Sequence, residues 1–407
     1  MMSTLERSRA RTAVTVLALA IGTGVLDSAR AQEAPAGHRG IVVVEVSFPY
    51  SSKRPGAWLE ASSLDGSQQR RLTPRPRRGE KRSDTRAVIS PEGSKVGFVR
   101  TTSSGSSLWV VDVTGKNLRQ LVRPAQLRAR FPNRPRLRSL AWSEDGSKLM
   151  ATVDVSKYSC KSGGAIAVGV AQPRLQTLVK LRNGTKAVLF SAGWSPDGET
   201  AALITSYNDG DCYWGHTGQN VLSIVNDAGT NRRDLARGGE IGSARWSRDG
   251  QRLAFTGNCD ELCDLFVVSR EGTGARRLTS FETRTFPLGG YDSLSFAWWG
   301  RELLYARGLS LFARDPDVGT IREVLKAPCP RLIGECARPQ LELLDLSEGL
   351  VLFEATSYGP EIQERDSPPD VSRLYVAGLS GQAPTELPRP RPIVRGDFAG
   401  YSDFSLG

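Results

Sequence analysis

Histidine is scarce in this chain. Only His38 and His216 occur in 407 residues, and His38 precedes the first expected strand, so the side chain that most often performs general acid–base chemistry at neutral pH is nearly missing. Long apolar runs are scarce as well. The one candidate, TAVTVLALAIGTGVL at 12–26, is short for a bilayer span, and no other segment is apolar enough to cross one. No Gly-x-Ser-x-Gly nucleophile elbow occurs anywhere, which excludes the serine hydrolases built on that turn.

What is present begins with a leader. ERSRAR (6–11), the apolar run, and DSARAQ (27–32) with Ala29 and Ala31 as its small residues read as a secretory signal cleaved before Gln32. No cysteine stands near that site to accept lipid. The expected organisation is a signal at 1–31, a linker at 32–39 and one folded unit at 40–407, exported to the periplasm or beyond, with no membrane span. A retained amphipathic anchor is the alternative.

A repeat organises the rest. Trp142, Trp194, Trp246 and Trp298 stand 52 residues apart, a fixed period that marks a repeat architecture. Three of them open a Trp-Ser-x-Asp-Gly phrase: AWSEDGSKLMAT from Ala141, GWSPDGETAALIT from Gly193 and RWSRDGQRLAFTG from Arg245. Weaker copies are VISPEGSKVGFVR (88–100), AWWGRELLYARG (297–308) and LLDLSEGLVLFEA (343–355). In each, a tight turn joins two apolar runs, a hairpin signal. A second hairpin follows about twenty residues later, as in LWVVDVTGKNLRQLV (108–122) and DLFVVSREGTGARRLT (264–279), and an additional one, AWLEASSLDGSQQRRLT, stands at 57–73.

Two hairpins per period give four antiparallel strands per repeat, here A to D from the inside out, and four-stranded sheets repeated radially are the blades of a β-propeller; a solenoid is the competing geometry. The Trp residues then fill the wedge between sheets. Seven CD hairpins meet six AB hairpins, because the front repeat (GIVVVEVSFPY, 40–50) starts at strand B. FAGYSDFSLG at 398–407, with Tyr401, Ser402 and Asp403, echoes the blade phrase, so the expectation is an all-β, seven-bladed propeller in which Tyr401 to Leu406 supply the missing strand A and remove an open edge. Six blades with an irregular end is the alternative.

The Trp-Ser-Pro-Asp-Gly turn, the LAF after its third copy and LFVVSREGTGARRLT resemble the TolB-type propeller repeat of bacterial envelope proteins, also found in relatives of prolyl oligopeptidase. The resemblance covers nearly all of 40–407 and implies a fold rather than an activity, since such a propeller is a platform for many functions. TolB proteins carry a small α/β domain before the propeller and the peptidase relatives a hydrolase domain; neither pattern is seen here.

Six cysteines, all beyond the leader, suit an oxidising compartment. Cys160, Cys212, Cys259 and Cys263 fall in BC loops and Cys329 and Cys336 in a DA connection, which emerge on one side of the ring. Cys259–Cys263, Cys329–Cys336 and Cys160–Cys212 form one of fifteen pairings; zinc is the alternative for CDELC.

Charge points to a partner. There are 54 Lys+Arg against 43 Asp+Glu, or +11, of which the leader supplies four Arg and two acids, leaving +9. Arg70, Arg71, Arg75, Arg77, Arg78 and Arg82 crowd the first DA connection, Arg128, Arg130, Arg134 and Arg136 the second, and Arg389 and Arg391 the last. This basic arc reads either as solvated surface or as a site for carboxylate or phosphate, which arginine contacts bidentately. Nucleic acid would satisfy the same electrostatics, and export argues against it. In neighbouring BC loops Asp209, Asp211, Asp260, Glu261 and Asp264 gather with Tyr213, Trp214 and His216. These could hold calcium, stack on a sugar or pack against a partner. The axis-lining strands show no convergent histidines or carboxylates, so the expectation is a binding module for an anionic envelope polymer or a protein, without a cofactor and of undetermined oligomeric state. A polysaccharide-active or other hydrolytic propeller enzyme, using paired carboxylates, is the alternative.

Overall fold

Each Ser-x-Asp-Gly phrase locks its own hairpin. In the computed structural model the Ser143 N–H donates to Lys148 O (3.0 Å) and the Gly146 N–H to Ser143 O (2.9 Å), while Ser143 Oγ accepts from the Lys148 N–H (2.9 Å). Asp145 Oδ1 accepts from Ser143 Oγ (2.6 Å) and from the Ser147 N–H (3.0 Å). Gly146 closes the turn at φ +65°, a left-handed conformation that costs glycine nothing. The same bonds recur from Ser195 to Thr200 and from Ser247 to Arg252. Burial alone would raise the Asp197 carboxyl, but hydrogen bonds from Ser195, Arg270 and the Glu199 N–H overcome it and hold the group at about 2.

The structure describes residues 13–20, 41–47, 56–63, 69–132, 134–155, 163–181, 187–207, 219–239, 241–258, 263–280, 294–327, 339–347, 350–357 and 371–379. Apart from one short helix these form strands, each sheet hydrogen-bonded in chain order. The first sheet holds β1 (Ala13–Ala20), β2 (Ile41–Ser47), β3 (Gly56–Ser63) and β4 (Gln69–Arg71). A short parallel bridge from Gly56 and Ala57 to Arg82 and Ser83 joins it to β5 (Arg82–Ile89), β6 (Lys95–Thr102), β7 (Gly105–Asp112) and β8 (Arg119–Val122). Helix α1 (Pro124–Arg130) then leads to β9 (Arg136–Trp142), β10 (Lys148–Asp154), β11 (Gly164–Gly169) and β12 (Leu175–Lys180). The fourth set is β13 (Ala187–Trp194), β14 (Thr200–Tyr207), β15 (Gln219–Asn226) and β16 (Arg233–Gly239). The fifth is β17 (Ala244–Trp246), β18 (Arg252–Gly257), β19 (Asp264–Ser269) and β20 (Arg276–Arg277). The sixth is β21 (Phe296–Trp299), β22 (Glu302–Arg307), β23 (Ser310–Arg314) and β24 (Ile321–Lys326), and the last is β25 (Pro339–Ser347), β26 (Leu350–Ser357) and β27 (Val371–Gly378).

Successive sets enclose separate apolar cores. Val43, Leu59 and Leu72 meet Val96, Phe98 and Val111 between the first and second; Met150 and Leu178 meet Leu189, Trp194 and Leu203 between the third and fourth. Further cores join the second to the third, the fourth to the fifth, the fifth to the sixth and the sixth to the last. Middle strands are consequently buried along their length, as in β14, where Thr200 to Ser206 are all buried. The repeated Trp residues cross these interfaces: the indole N–H of Trp142 donates to Val88 O (3.0 Å), that of Trp246 to Gly193 O (3.3 Å) and that of Trp298 to Arg245 O (3.0 Å). Every acceptor lies on the inner strand of the preceding set. Trp194 is the exception, its buried Nε1 having no partner.

The inner edge of β2 is paired, but by β1, antiparallel from Ala13 opposite Ser47 to Ala20 opposite Ile41, and β1 also lies beside β25. This strand falls within the segment read as a leader. An apolar run with β-branched residues suits a valine-rich edge. Residues 398–407, expected in that place, lie outside the described residues.

Two measurements check this account. Trp246→Phe and Trp194→Phe remove similar volume, but only the first strips a donor from a carbonyl of the inner strand, so it should lower stability by about 1 kcal/mol more in denaturant titration. Because the folded Asp197 lies below its unfolded value, its contribution is complete above about pH 4 and fades as pH falls towards about 2; Asp197→Asn should flatten the fall of the urea midpoint across that window.

Candidate anion-binding face

Strand direction alternates within each set, so the AB and CD turns share one end and the BC and DA connections the other. At the AB/CD end three cations are paired with carboxylates of neighbouring sheets, while Lys116, Arg174, Arg248 and Arg301 are exposed there, on different sets. Lys148 Nζ meets Asp227 Oδ2 at 2.8 Å and lies 5.5 Å from the Trp194 ring centroid. Arg270 bonds Asp197 Oδ2 at 2.6 Å with its guanidinium 5.6 Å from the Trp246 ring. Arg252 meets both Asp317 oxygens at 3.0 Å over Trp298.

At the BC/DA end the first connection, 72–81, carries Arg75, Arg77 and Arg78, all exposed. Arg75 is held in place: its guanidinium lies 4.8 Å from the Trp58 ring centroid and 3.8 Å from Glu60 Oε1, and Glu60 accepts from the Trp58 indole N–H at 2.7 Å. The connection folds back through the Arg77 N–H, which donates to Glu80 Oε2 (2.8 Å). In the next connection Arg128, Arg134 and Arg136 are exposed; Arg128 Nη1 donates to Ser104 O (2.7 Å).

Four of the arginines expected in the arc do other work. Arg70 and Arg71 belong to the edge strand β4, opposite Ala61 and Glu60, rather than to the connection. There Arg-Arg-Leu-Thr is a strand-ending phrase: the Leu72 N–H donates to Leu59 O (2.9 Å) and Thr73 Oγ1 accepts from the Leu59 N–H (3.0 Å). Arg276 to Thr279 repeat it, with Leu278 N–H on Leu265 O (2.7 Å) and Thr279 Oγ1 accepting from the Leu265 N–H (2.8 Å). Charged residues on such an edge discourage further pairing. Arg82 begins β5 with its side chain 12% exposed, 3.1 Å from Glu80 Oε1, and donates to Pro74 O; it fastens the connection to the sheet. Arg130 is half-buried with Nη2 on Leu175 O (2.9 Å).

Sequence reasoning missed two features. The second connection contains α1, started by Pro124 and anchored by the buried Leu127 and the following Phe131; a seven-residue helix among prolines is too short to show periodicity. Asp84, fully buried, binds Arg100 bidentately at 2.6 and 2.8 Å, and that guanidinium lies 4.3 Å from the Trp109 ring centroid. Arg100 sits in the repeat phrase where a hydrophobic strand is expected, so the signal was a charge inside an apolar run. Asp264 is also corrected: it is 3% exposed and paired with Arg277 at 2.5 Å, so it is structural rather than part of an acidic surface.

Arg389, Arg391, Asp209, Asp211, Tyr213, Trp214, His216, Asp260 and Glu261 lie outside the described residues, as do Cys160, Cys212, Cys259, Cys329 and Cys336. Cys263 is buried and disulfide-bonded. Among the described residues no helix is long and apolar enough to cross a membrane.

No family model matches the chain. A stretch of 95 residues, 23% of the chain, is 35% identical to the Tol-Pal system protein TolB of Anaeromyxobacter dehalogenans strain 2CP-C, and TolB of Anaeromyxobacter sp. strain K matches equally. The match spans 20% of the length of these relatives. Among solved structures, the β-propeller domain of the Trilobed protease from Pyrococcus furiosus, described as an open velcro topology, is 11% identical, with 95% of this chain and all of that one covered at a TM-score of 0.52. Oligogalacturonate lyase in complex with manganese is 12% identical over 92% of this chain and 99% of its own, at 0.50. A prolyl endopeptidase is 14% identical over 87% of this chain and 49% of its own, at 0.54. At such identities the likeness is one of fold: this chain has a TolB-like stretch within a β-propeller fold.

The division between fastening and exposed arginines is testable by stability. Asp84→Ala leaves the Arg100 charge buried without its partner and should cost about 3–5 kcal/mol. Arg77→Ala, on open surface, should stay within about 0.5 kcal/mol. Denaturant titration of both variants checks the assignment.

Proposed function

We propose that this protein is an exported TolB-like propeller that binds an acidic partner of the cell envelope, a protein or an anionic polymer, through the BC/DA end of its first two blades. The observation that carries this reading is the grouping of exposed arginines: Arg75, Arg77, Arg78, Arg128, Arg134 and Arg136 lie in two adjacent connections at the BC/DA end, whereas exposed cations of the AB/CD end such as Lys116, Arg174, Arg248 and Arg301 are scattered over different sets. Exposed guanidinium groups grouped in this way suit carboxylate or phosphate. The fuller form has seven blades closed by a C-terminal strand, the leader removed before Gln32, the pairs Cys259–Cys263, Cys329–Cys336 and Cys160–Cys212, and a periplasmic or secreted location. Likeness to a Tol-Pal system protein supports the envelope setting. The arc is completed in this reading by Arg389 and Arg391, with Asp209, Asp211, Tyr213, Trp214, His216, Asp260 and Glu261 forming a second patch on the same end.

Binding to native envelope extract, followed by titration of the recovered partner, tests it. Affinity should fall at least about tenfold between ~50 and ~200 mM salt, because several arginines release counterions together. Charge reversal of Arg75, Arg77 and Arg78 to glutamate should weaken binding without changing the melting curve. The control reverses Arg248 and Arg301, exposed in AB turns of the fifth and sixth sets; equal losses from both variants would reduce the effect to net charge, and no loss from the first would remove the face as the site.

A further inference from the structure

Arg75 enters the BC/DA face on a backbone fixed from both sides. The carbonyl before it, Pro74 O, accepts from Arg82. The residue after it, Pro76, is buried against Gly56, where a Cβ would stand 2.8 Å from Pro76 Cγ. The side chain is held as well. Trp58 and Glu60 stand two apart on β3 and so share a face; the Arg75 guanidinium lies 4.8 Å from the Trp58 ring centroid, and Nη2 stands 3.8 Å from Glu60 Oε1. That oxygen already accepts from the Trp58 indole N–H at 2.7 Å, and the longer contact is no hydrogen bond. Glu60 therefore sets a charge beside Arg75 without taking its donors, and nothing else among the described residues takes them. Arg77 and Arg78 are exposed with no side-chain partner among the described residues. An incoming anion must order those two, whereas Arg75 is ordered beforehand, and side-chain ordering is a main cost of binding.

This arrangement selects among anions. Glu60 repels a ligand in proportion to its charge, so it penalises a phosphate monoester, at about −1.5 to −2 near neutral pH, more than a singly charged carboxylate. A guanidinium packed against an indole with its donors untaken offers an edge that a carboxylate takes bidentately. Trp58 and Phe131, the rings packed under the two connections, are 2% and 1% exposed. Neither is open to stack on a sugar, so the carboxylates of a protein segment fit this surface better than those of an acidic polysaccharide.

We propose that Arg75 is the anchor of this face and Glu60 its filter, and that together they recognise a protein segment bearing aspartate or glutamate side chains in preference to a phosphorylated surface. The inference rests on the anion-binding reading given under the proposed function, which leaves the class of acidic partner open, and its test separates the two.

The full chain is titrated by fluorescence anisotropy at ~50 mM salt with a pair of labelled peptides of equal length, one alternating glutamate with glycine and the other phosphoserine with glycine. The glutamate peptide should bind at least as tightly as the phosphoserine peptide, although it carries only about half to two-thirds of the charge. Arg75→Lys keeps the charge and removes the bidentate edge, so it should weaken the glutamate peptide at least about fivefold, with Arg77→Lys staying within about twofold of wild type. Glu60→Gln keeps an acceptor for the Trp58 indole; it should tighten the phosphoserine peptide at least about threefold more than the glutamate peptide. All three variants should melt with the wild type. Equal losses from the two lysine variants would overturn the anchor, and equal gains for both peptides in Glu60→Gln would overturn the filter. Tighter binding of the phosphoserine peptide by the wild type would overturn the choice of partner and leave the face standing. Binding of neither peptide would overturn the inference alone where the recovered envelope partner still binds through Arg75, Arg77 and Arg78, and the face with it where that partner does not.

Discussion

No sheet in this protein can hide its apolar surface alone. The middle strands are buried on both faces, as β14 and β15 show, so each sheet depends on the one before and the one after it. The indole N–H bonds from Trp142, Trp246 and Trp298 to the preceding inner strand fix the level at which neighbours meet. Dispersion and burial drive the stacking, but those terms are non-directional and would tolerate sliding. A hydrogen bond from a rigid ring to one backbone carbonyl does not. The Ser-x-Asp-Gly turn belongs to the same device, since it holds the backbone immediately after the tryptophan.

That constraint divides the molecule into two ends with different chemistry. The AB/CD end carries the turns that set the stacking level, and there Lys148, Arg252 and Arg270 are paired with carboxylates on neighbouring sheets over tryptophan rings. Replacing side chains there disturbs the interfaces between sheets. The BC/DA end holds the long DA connections of the first two sets, 72–81 and 123–135, whose conformation is held by a few contacts, such as Arg82 on Pro74 O and Glu80. Once those are made, the remaining side chains in the connection are free to vary without loss of the fold. Functional specialisation is therefore expected at this end on physical grounds.

The sheets were legible in the sequence because their signals are local. A turn glycine with its serine and aspartate lies within six residues, and the 52-residue spacing of the tryptophans repeats it. The site was legible only in part, since clustering of arginine in sequence does not distinguish a side chain in solvent from one that fastens a loop. Arg77 and Arg82 are five residues apart; one is exposed and the other is 12% exposed against Glu80. What separates them is where β5 begins, which depends on pairing with β3 and β6. The Asp84–Arg100 pair was hidden for the same reason, its two members lying sixteen residues apart on adjacent strands.

Trp194 shows what the repeated bond adds. Its ring packs in the same kind of core as its counterparts, with Lys148 over its face, yet its indole N–H has no acceptor. The third and fourth sets remain stacked without it, so the bond is not required for adhesion at any one interface. Its role is cumulative: sheets arranged in series pass a shift at one interface to the next, and fixed levels at the others limit how far the array can drift. This bears on the first set, where Leu19 stands opposite Val42 as Trp194 stands opposite Ala201, and leucine has no such donor to offer.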